Sequence, residues 1–518
     1  MRLHDYLEFF AKEKPDHPYA EMDGTTMTYA EADRRANCIC NGMLESGLEK
    51  GDRFSYLSKN SIDMAIMYFA ASKAGIVPVP LNYRLAPREW LYIINDAESK
   101  TLFCEREFVA GIDSIRDELS SVSSYIVIDG SADSWIAHDD WLSEDAGKPD
   151  VEVSEDDQLY QMYTSGTTGL PKGVMLSQRA IDCNMTMIAN SIGMATGADR
   201  FLVVAPMYHA AAGIGLMTSA SLGNTIIIHK DFDPVAVVES LCTAGITTAT
   251  LVPAMIQACL IGVKDISERQ YPDLRIIFYG ASPIAQETLR EAMSTFGCDF
   301  FQGFGMTETT ALVTGLGVDI HKRALAGEPE LLLSAGRAVL GTEIRIVDDN
   351  DIEVERGIVG EIVARGPQLM MGYWNQPEAT EKALKGGWMH TGDAAYMDEE
   401  GFIYIQDRIK DMIVSGGENI YPAEIENALF EHPAVADAAV IGIPSEQWGE
   451  SVLAFLLLKP GETVTTDELI DFCRPRLAGF KIPRKFEFLD EIPRNASGKV
   501  LKKDLREPYW VGVDRRVG

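Results

Sequence analysis

The sequence predicts a layered α/β protein that closes with a smaller α+β unit, and three patterns carry that prediction. Strand-length apolar runs alternate with helix-period segments through the first ~150 residues and again up to about Val318, a βαβ rhythm. Over 343–405 the pattern changes to short strands separated by Gly/Asp turns, which marks a small β-subdomain. After Asp407-Arg408-Ile409-Lys410-Asp411 the helix and strand patterns of a separate unit begin. At 518 residues the chain exceeds one compact core, and length alone predicts roughly three domain-sized units.

Taken in order, Thr28-Tyr29-Ala30-Glu31 has the form of a capping box and opens a helix to about Ser46. Residues 51–57 read as a strand, 63–74 as a helix and 77–81 as a short buried strand. The acid-crowded span 139–158, with Gly147 and Pro149, reads as an exposed linker. Beyond it, 201–205, 225–229, 246–252 and 274–279 read as strands. In the last unit Pro422 suits the first turn of a helix reaching Phe430. Strands follow at 437–443 and 452–458, and Thr465-Thr466-Asp467-Glu468 caps a helix to about Leu477.

Charge narrows the function. With 46 Lys/Arg against 78 Asp/Glu the chain carries −32, which argues against a nucleic-acid binder held by general electrostatics. An anionic substrate therefore needs a locally basic site. From Arg474 onward twelve Lys/Arg face six Asp/Glu. That tail is either a solvated helix face with a basic end, or a lid that presents cations to a polyanionic ligand. The eight cysteines show neither C-x-x-C nor zinc-type spacing and read as reduced, buried thiols. The first eight residues carry acids where a signal peptide needs an apolar run, and the longest apolar runs, such as 451–458, are too short to span a membrane. A cytoplasmic protein without integral membrane association is expected.

The strongest local motif is Thr164-Ser165-Gly166-Thr167-Thr168-Gly169-Leu170-Pro171-Lys172-Gly173, after an apolar approach at 158–162. Backbone N–H groups and hydroxyls in such a turn can wrap phosphate oxygens, and Lys172 adds charge. It departs from a Walker A loop, because Pro171 precedes the lysine and Gly173 follows it where Ser or Thr would hold magnesium. A plain Gly/Ser/Thr surface loop is the competing reading.

Other motifs add to it. Gly303-Phe304-Gly305-Met306-Thr307-Glu308 lacks the last glycine of a dinucleotide fingerprint; a glycine turn delivering Glu308 suits a magnesium ligand, and Phe304 offers a ring face to a purine. His390-Thr391-Gly392-Asp393 reads as a turn whose Asp could accept from vicinal ribose hydroxyls, or simply face solvent. His209 follows a strand ending near Ala205, at the sheet edge where ligands of open α/β folds gather. Ala210-Ala211-Ala212-Gly213-Ile214-Gly215 leaves space after it for an apolar pocket. Pro493 to Lys499 presents one lysine from a glycine-containing turn.

In this order, together with Gly280-Ala281-Ser282-Pro283 and Ser415-Gly416-Gly417-Glu418-Asn419-Ile420-Tyr421-Pro422, these motifs resemble the adenylate-forming superfamily of acyl- and aryl-CoA synthetases, luciferases and peptide-synthetase adenylation domains. The resemblance runs from Thr28-Tyr29 to Lys499 and is strongest to fatty-acyl-CoA synthetases. It implies a large N-terminal AMP-binding domain, 1–409, and a mobile C-terminal lid domain, 410–518, hinged at Lys410. It implies a two-step ligase using ATP, Mg²⁺ and coenzyme A. Thr164, Ser165, Gly166, Thr167, Thr168 and Lys172 would hold the β/γ-phosphates, and Glu308 the metal. Thr307 would meet the α-phosphate, and Lys499 would bridge the substrate carboxylate and that phosphate. Gly280, Ala281, Ser282, Gly303 and Phe304 would frame adenine, and Asp393 and Arg408 would take the ribose. Gly417 would line the pantetheine tunnel; His209, Ala210, Gly213 and Gly305 would line the acyl pocket.

The expected substrate is a fatty acid of medium chain length or an aryl acid, and a monomer or homodimer is the family expectation. The alternatives are an enzyme that loads a carrier-protein phosphopantetheine and a luciferase-like adenylating oxidase.

Overall fold

The computed structural model describes residues 1–164, 170–282, 284, 286–408, 411–415, 418–445, 447–494 and 500–511. Of the expected site residues, Ser165, Gly166, Thr167, Thr168, Lys410, Gly417 and Lys499 lie outside the described residues.

The α/β expectation holds. A nine-stranded sheet runs in the order Arg337–Ala338, Thr314–Leu316, Asp299–Phe304, Ile276–Gly280, Thr248–Thr250, Arg200–Val203, Thr225–Ile228, Pro18–Met22, Thr25–Thr28. Its six central strands, Asp299–Phe304 through Pro18–Met22, are parallel and its flanking strands antiparallel. A second, all-parallel sheet of five strands is built around Arg53–Leu57. Such sheets need both faces covered, which explains the unbroken burial of Ile226, Ile227 and Ile228.

Local sequence accounts for many boundaries. The helix Tyr29–Glu45 opens on the expected box, Thr28 N–H donating to Glu31 Oε2 at 2.8 Å while Glu31 N–H donates to Thr28 Oγ1 at 3.3 Å. The same device, Thr465 with Glu468, opens Thr466–Cys473, and Pro422 starts Pro422–Phe430.

The span 139–158 is not an exposed linker. Trp141 is buried and donates to Ser46 Oγ at 2.7 Å, and Asn41 donates to the carbonyls of Asp145 and Gly147 at 2.8 and 3.1 Å. The acids and Gly/Pro of this strap face outward while Trp141 and Val153 anchor it, so composition alone misread it.

The β-subdomain is a four-stranded antiparallel sheet, Glu343–Val347, Gly360–Arg365, Met389–Met397 and Ile403–Arg408. His390-Thr391-Gly392-Asp393, expected as a turn, lies inside the strand Met389–Met397. Opposite it the register jumps between Glu361 and Val363, a bulge at which Gly392 takes φ +70°. A bulge borrows turn residues, and only the partner strand reveals the difference.

In the C-terminal unit, Val435–Ser445 and Gly449–Leu458 form a long hairpin, with Lys485–Phe488 parallel to the second strand. Alternation puts Ala438 and Val440 in one core with Ile425 and Leu469, and Ala439 and Ile441 in another with Leu505.

Candidate active site

Because the central strands are parallel, Val203, Gly280 and Phe304 end at one edge of the large sheet, and most of the candidate residues follow from there. The phosphate-loop candidate is carried by a hairpin, Gln158–Thr164 against Lys172–Ser177, with Thr164 opposite Lys172. Its base is braced from the helix Pro87–Asp96. Tyr163 donates to Asp96 Oδ2 at 2.5 Å, Trp374 Nε1 donates to the Asp96 carbonyl at 2.9 Å, and Tyr92 donates to the Pro171 carbonyl at 3.2 Å. A Cβ at Gly173 would stand 2.8 Å from Gln161 Nε2 and 3.0 Å from the Tyr163 ring. The residue missing its Walker-type hydroxyl is thus a glycine for a packing reason.

Glu308 sits on a short 3₁₀ turn, Thr307–Thr309, and is 7% exposed. Thr310 follows at φ +67°, and Ala281, after the strand Ile276–Gly280, also takes φ +67°. Two non-glycine residues in the left-handed region border the same site, a strain typical of functional sites. Gly280 lies opposite Gly303, and a Cβ on Gly280 would enter the Gly303 carbonyl. The strands can meet here only as glycines. Gly305 is equally constrained, its absent Cβ overlapping the Ala311 carbonyl. Phe304 packs beside Ile346 and Ile403 of the β-subdomain, and Ser282 is half-buried at the rim.

Asp393 and Arg408 are paired residues on adjacent strands, joined by Arg408 Nε donating to Asp393 Oδ1 at 2.7 Å. Arg408 also donates to the Thr391 carbonyl at 2.9 Å.

Sequence reasoning missed Tyr373. Its hydroxyl donates to Glu308 Oε1 at 2.9 Å, and Lys172 Nζ lies 4.9 Å from its ring centroid. Burial first, then the Glu308 charge and hydrogen bond, raise its pKa, while the Arg408 charge opposes them. Its only local signal was an unremarked Gly-Tyr-Trp run. Tyr373 occupies only Oε1 of the buried Glu308, and no hydrogen bond to Glu308 Oε2 is made among the described residues, so that oxygen remains for a hard cation. Among those residues no group of three or more His, Cys, Asp or Glu could form an all-protein metal cage. One carboxylate plus substrate phosphates is the ordinary setting for Mg²⁺, so the residues fit that ion.

Tyr208 and His209 precede the helix Ala210–Ser221, on a segment held by Asn60, which accepts from Met207 N–H at 2.8 Å and donates to the Ala205 carbonyl at 3.1 Å. His209 Nε2 is buried without a partner among the described residues; burial, with a smaller push from Arg84, lowers its pKa to about 4. The small residues after it chiefly serve packing. A Cβ on Gly213 would lie 3.0 Å from the Met207 carbonyl and one on Gly215 3.1 Å from Phe201. Of 210–215 only Ala211 is more than marginally accessible.

Among its described residues the basic tail is mostly paired. Arg474, Arg476, Lys481, Lys485, Arg494, Lys502 and Arg506 all pair with carboxylates. Arg484 lies over the Trp448 ring at 5.1 Å.

Comparison with known proteins gives the family. The AMP-binding enzyme family matches residues 7–374, and the AMP-binding enzyme C-terminal domain matches 424–499. A fatty acid–[acyl-carrier-protein] ligase of Streptomyces coeruleorubidus is 37% identical over 98% of this chain and 96% of its own. A long-chain-fatty-acid–CoA ligase of Mycobacterium tuberculosis is 37% identical over 94% of each chain. The o-succinylbenzoate CoA synthetase of Bacillus subtilis, solved with its acyl-adenylate intermediate, superposes with a TM-score of 0.84 at 32% identity, covering 99% of this chain and 98% of its own. The chain belongs to the AMP-binding enzyme family, as an enzyme of the adenylate-forming superfamily.

Proposed function

We propose that this enzyme is an ATP-dependent acid–CoA ligase acting on a medium-chain fatty acid or an aryl acid. The carboxylate attacks the α-phosphorus of ATP, forming acyl-AMP as pyrophosphate leaves. The CoA thiolate then attacks the acyl carbon, and AMP leaves with the carbon–oxygen electron pair. The observation that carries this reading is the meeting of Lys172 and Glu308 at Tyr373, beside the hairpin that bears the phosphate loop.

Attack of an anion on an anionic phosphorus calls for charge neutralisation and alignment rather than a protein nucleophile. Lys172 and residues 164–168 hold the departing pyrophosphate. Glu308 would hold Mg²⁺, which when bound would neutralise phosphate charge. Gly280, Ala281, Ser282, Gly303 and Phe304 receive adenine, Asp393 and Arg408 orient the ribose, and Thr307 meets the α-phosphate. Lys499 bridges carboxylate and α-phosphate from the lid domain. The domains, 1–409 and 410–518, turn about Lys410 between half-reactions, and Gly417 leaves the pantetheine path open. His209, neutral above pH about 4, stands with Ala210 and Gly305 beside the acyl group, while Gly213, given over to packing, is withdrawn from the pocket. Among the described residues no helix is long and apolar enough to cross a membrane; a cytoplasmic monomer or homodimer is the proposed setting.

The test is a panel of fatty and aryl acids scored for pyrophosphate, AMP and thioester, with CoA supplied or omitted. Acid-dependent pyrophosphate release, and CoA-dependent thioester matched by AMP, are expected. Release of orthophosphate instead would overturn the adenylation chemistry. Thioester appearing only on a carrier protein would reassign the thiol acceptor, and light or oxygen uptake would point to an oxidase.

A further inference from the structure

We propose that Tyr373 is a positioning residue that locks the Glu308 carboxylate and the Lys172 ammonium into one unit, setting the metal side and the phosphate side of the site together. This rests on the reading of Glu308 as a metal ligand. Three observations carry it. The hydroxyl donates to Glu308 Oε1 at 2.9 Å, and Tyr373 is 9% exposed. The ring of the same side chain faces Lys172 Nζ at 4.9 Å, within cation–π range. The backbone is built to hold it there. Tyr373 N–H donates to Thr380 Oγ1 at 2.9 Å, Tyr373 pairs with Val174 on the strand that begins at Lys172, and Trp374 N–H donates to the Gly173 carbonyl at 2.8 Å. Gly372, at φ +148°, adopts a backbone closed to side chains, and a Cβ there would lie 2.7 Å from Thr380.

The choice of a phenol has a physical reason. A lysine or arginine at this place would orient Glu308 but also neutralise it, competing with a cation for the carboxylate. A neutral donor fixes one oxygen and leaves the charge intact for the metal. The ring face meanwhile restrains Lys172 without supplying a counter-ion, so its charge stays available to phosphate.

Binding measurements separate this from a role in folding alone. Mn²⁺ affinity would be read from the electron-paramagnetic-resonance signal of free Mn²⁺, with a non-reacting methylene analogue of ATP present. Affinity for that analogue in EDTA would be read by calorimetry. Tyr373→Phe keeps the ring and removes the hydroxyl; it is expected to weaken Mn²⁺ about tenfold, the order of one charge-assisted hydrogen bond. Metal-free analogue binding should stay within about twofold, whereas Tyr373→Leu should weaken both. On a Glu308→Gln background Tyr373→Phe should add nothing, because both changes act through one carboxylate.

Unchanged Mn²⁺ affinity in Tyr373→Phe, or a further tenfold loss on the Glu308→Gln background, overturns the proposal. If Glu308→Gln itself leaves Mn²⁺ binding intact, the metal assignment falls and takes the proposal with it. If Glu308→Gln weakens Mn²⁺ and Tyr373→Phe does not, the proposal alone fails.

Discussion

Replacing Lys502 by methionine tests how the last strand of the β-subdomain is tied to the C-terminal unit. Lys502 Nζ lies 3.0 Å from both Asp407 Oδ2 and Glu426 Oε1, with side-chain exposures of 12%, 8% and 15%. Glu426 Oε1 also accepts from Val440 N–H at 2.7 Å. Methionine keeps the length of the stem but leaves two carboxylates facing each other without the cation. Removing one partner of a buried ion pair costs about 3–5 kcal/mol, and the residual exposure here points to the lower end, roughly a hundredfold in local opening.

The pH dependence has a definite sign. Burial holds Glu426 above its ordinary value of 4.5; Lys502 draws it back and Asp407 pushes it up. Without Lys502 the folded-state pKa rises further. A carboxyl raised in the folded state favours folding when protonated, so the loss is full above the folded pKa and shrinks as pH falls toward 4.5. Hydrogen exchange of the amides in Val435–Ser445 and Gly449–Leu458 reads this directly. Protection should fall about a hundredfold near pH 8 and by less near pH 5.5. Unchanged protection near pH 8, or a loss that grows on acidification, refutes the reasoning.

The remaining expectations concern the active site. Gly280→Ala should force apart the strands that meet at Gly303, costing about 1–3 kcal/mol in thermal unfolding and raising KM for ATP; unchanged values of both would remove the close approach from the argument. With its pKa lowered by burial to about 4, His209 contributes stability that is present above pH 6.5 and lost as pH falls toward 4, by up to about 1.4 kcal/mol per pH unit. His209→Gln should lessen that acid sensitivity in urea unfolding, and an unaltered slope would contradict it. Lys499→Ala should abolish acyl-AMP formation yet spare thioester formation from supplied acyl-AMP, and Gly417→Leu should do the reverse. Equal loss in both half-reactions would discard the rotating-lid assignment.

Much of the architecture was legible because its causes are local. The capping boxes at Thr28 and Thr465 and the proline at 422 act within one helical turn, so sequence placed those helix starts correctly. The αβ alternation followed from strand and helix periodicities. Errors arose where a partner far along the chain decides. Thr391-Gly392-Asp393 looks like a turn until Gly360–Arg365 is seen to run alongside and make it a bulge. The outward acids at 139–158 concealed anchors that reach residues of the first long helix. The glycines after His209 suggested open space, but that helix uses them to approach its neighbours.

The sequence by itself determined the order of the motifs, and that order identified the adenylate-forming superfamily; a phosphate loop of non-Walker form completed by the Glu308 carboxylate is the site it proposes. Tertiary structure alone decided which charges remain available. Coulomb and hydrogen-bond energies depend on a few ångströms of separation and on burial. Groups hundreds of residues apart can therefore cancel or cooperate without any trace in composition. Among the described residues of the basic tail, most cations are spent on internal pairs with acids such as Asp407, Glu426 and Asp437. Tyr373, chemically silent in the sequence, stands between Lys172 and Glu308 and joins them.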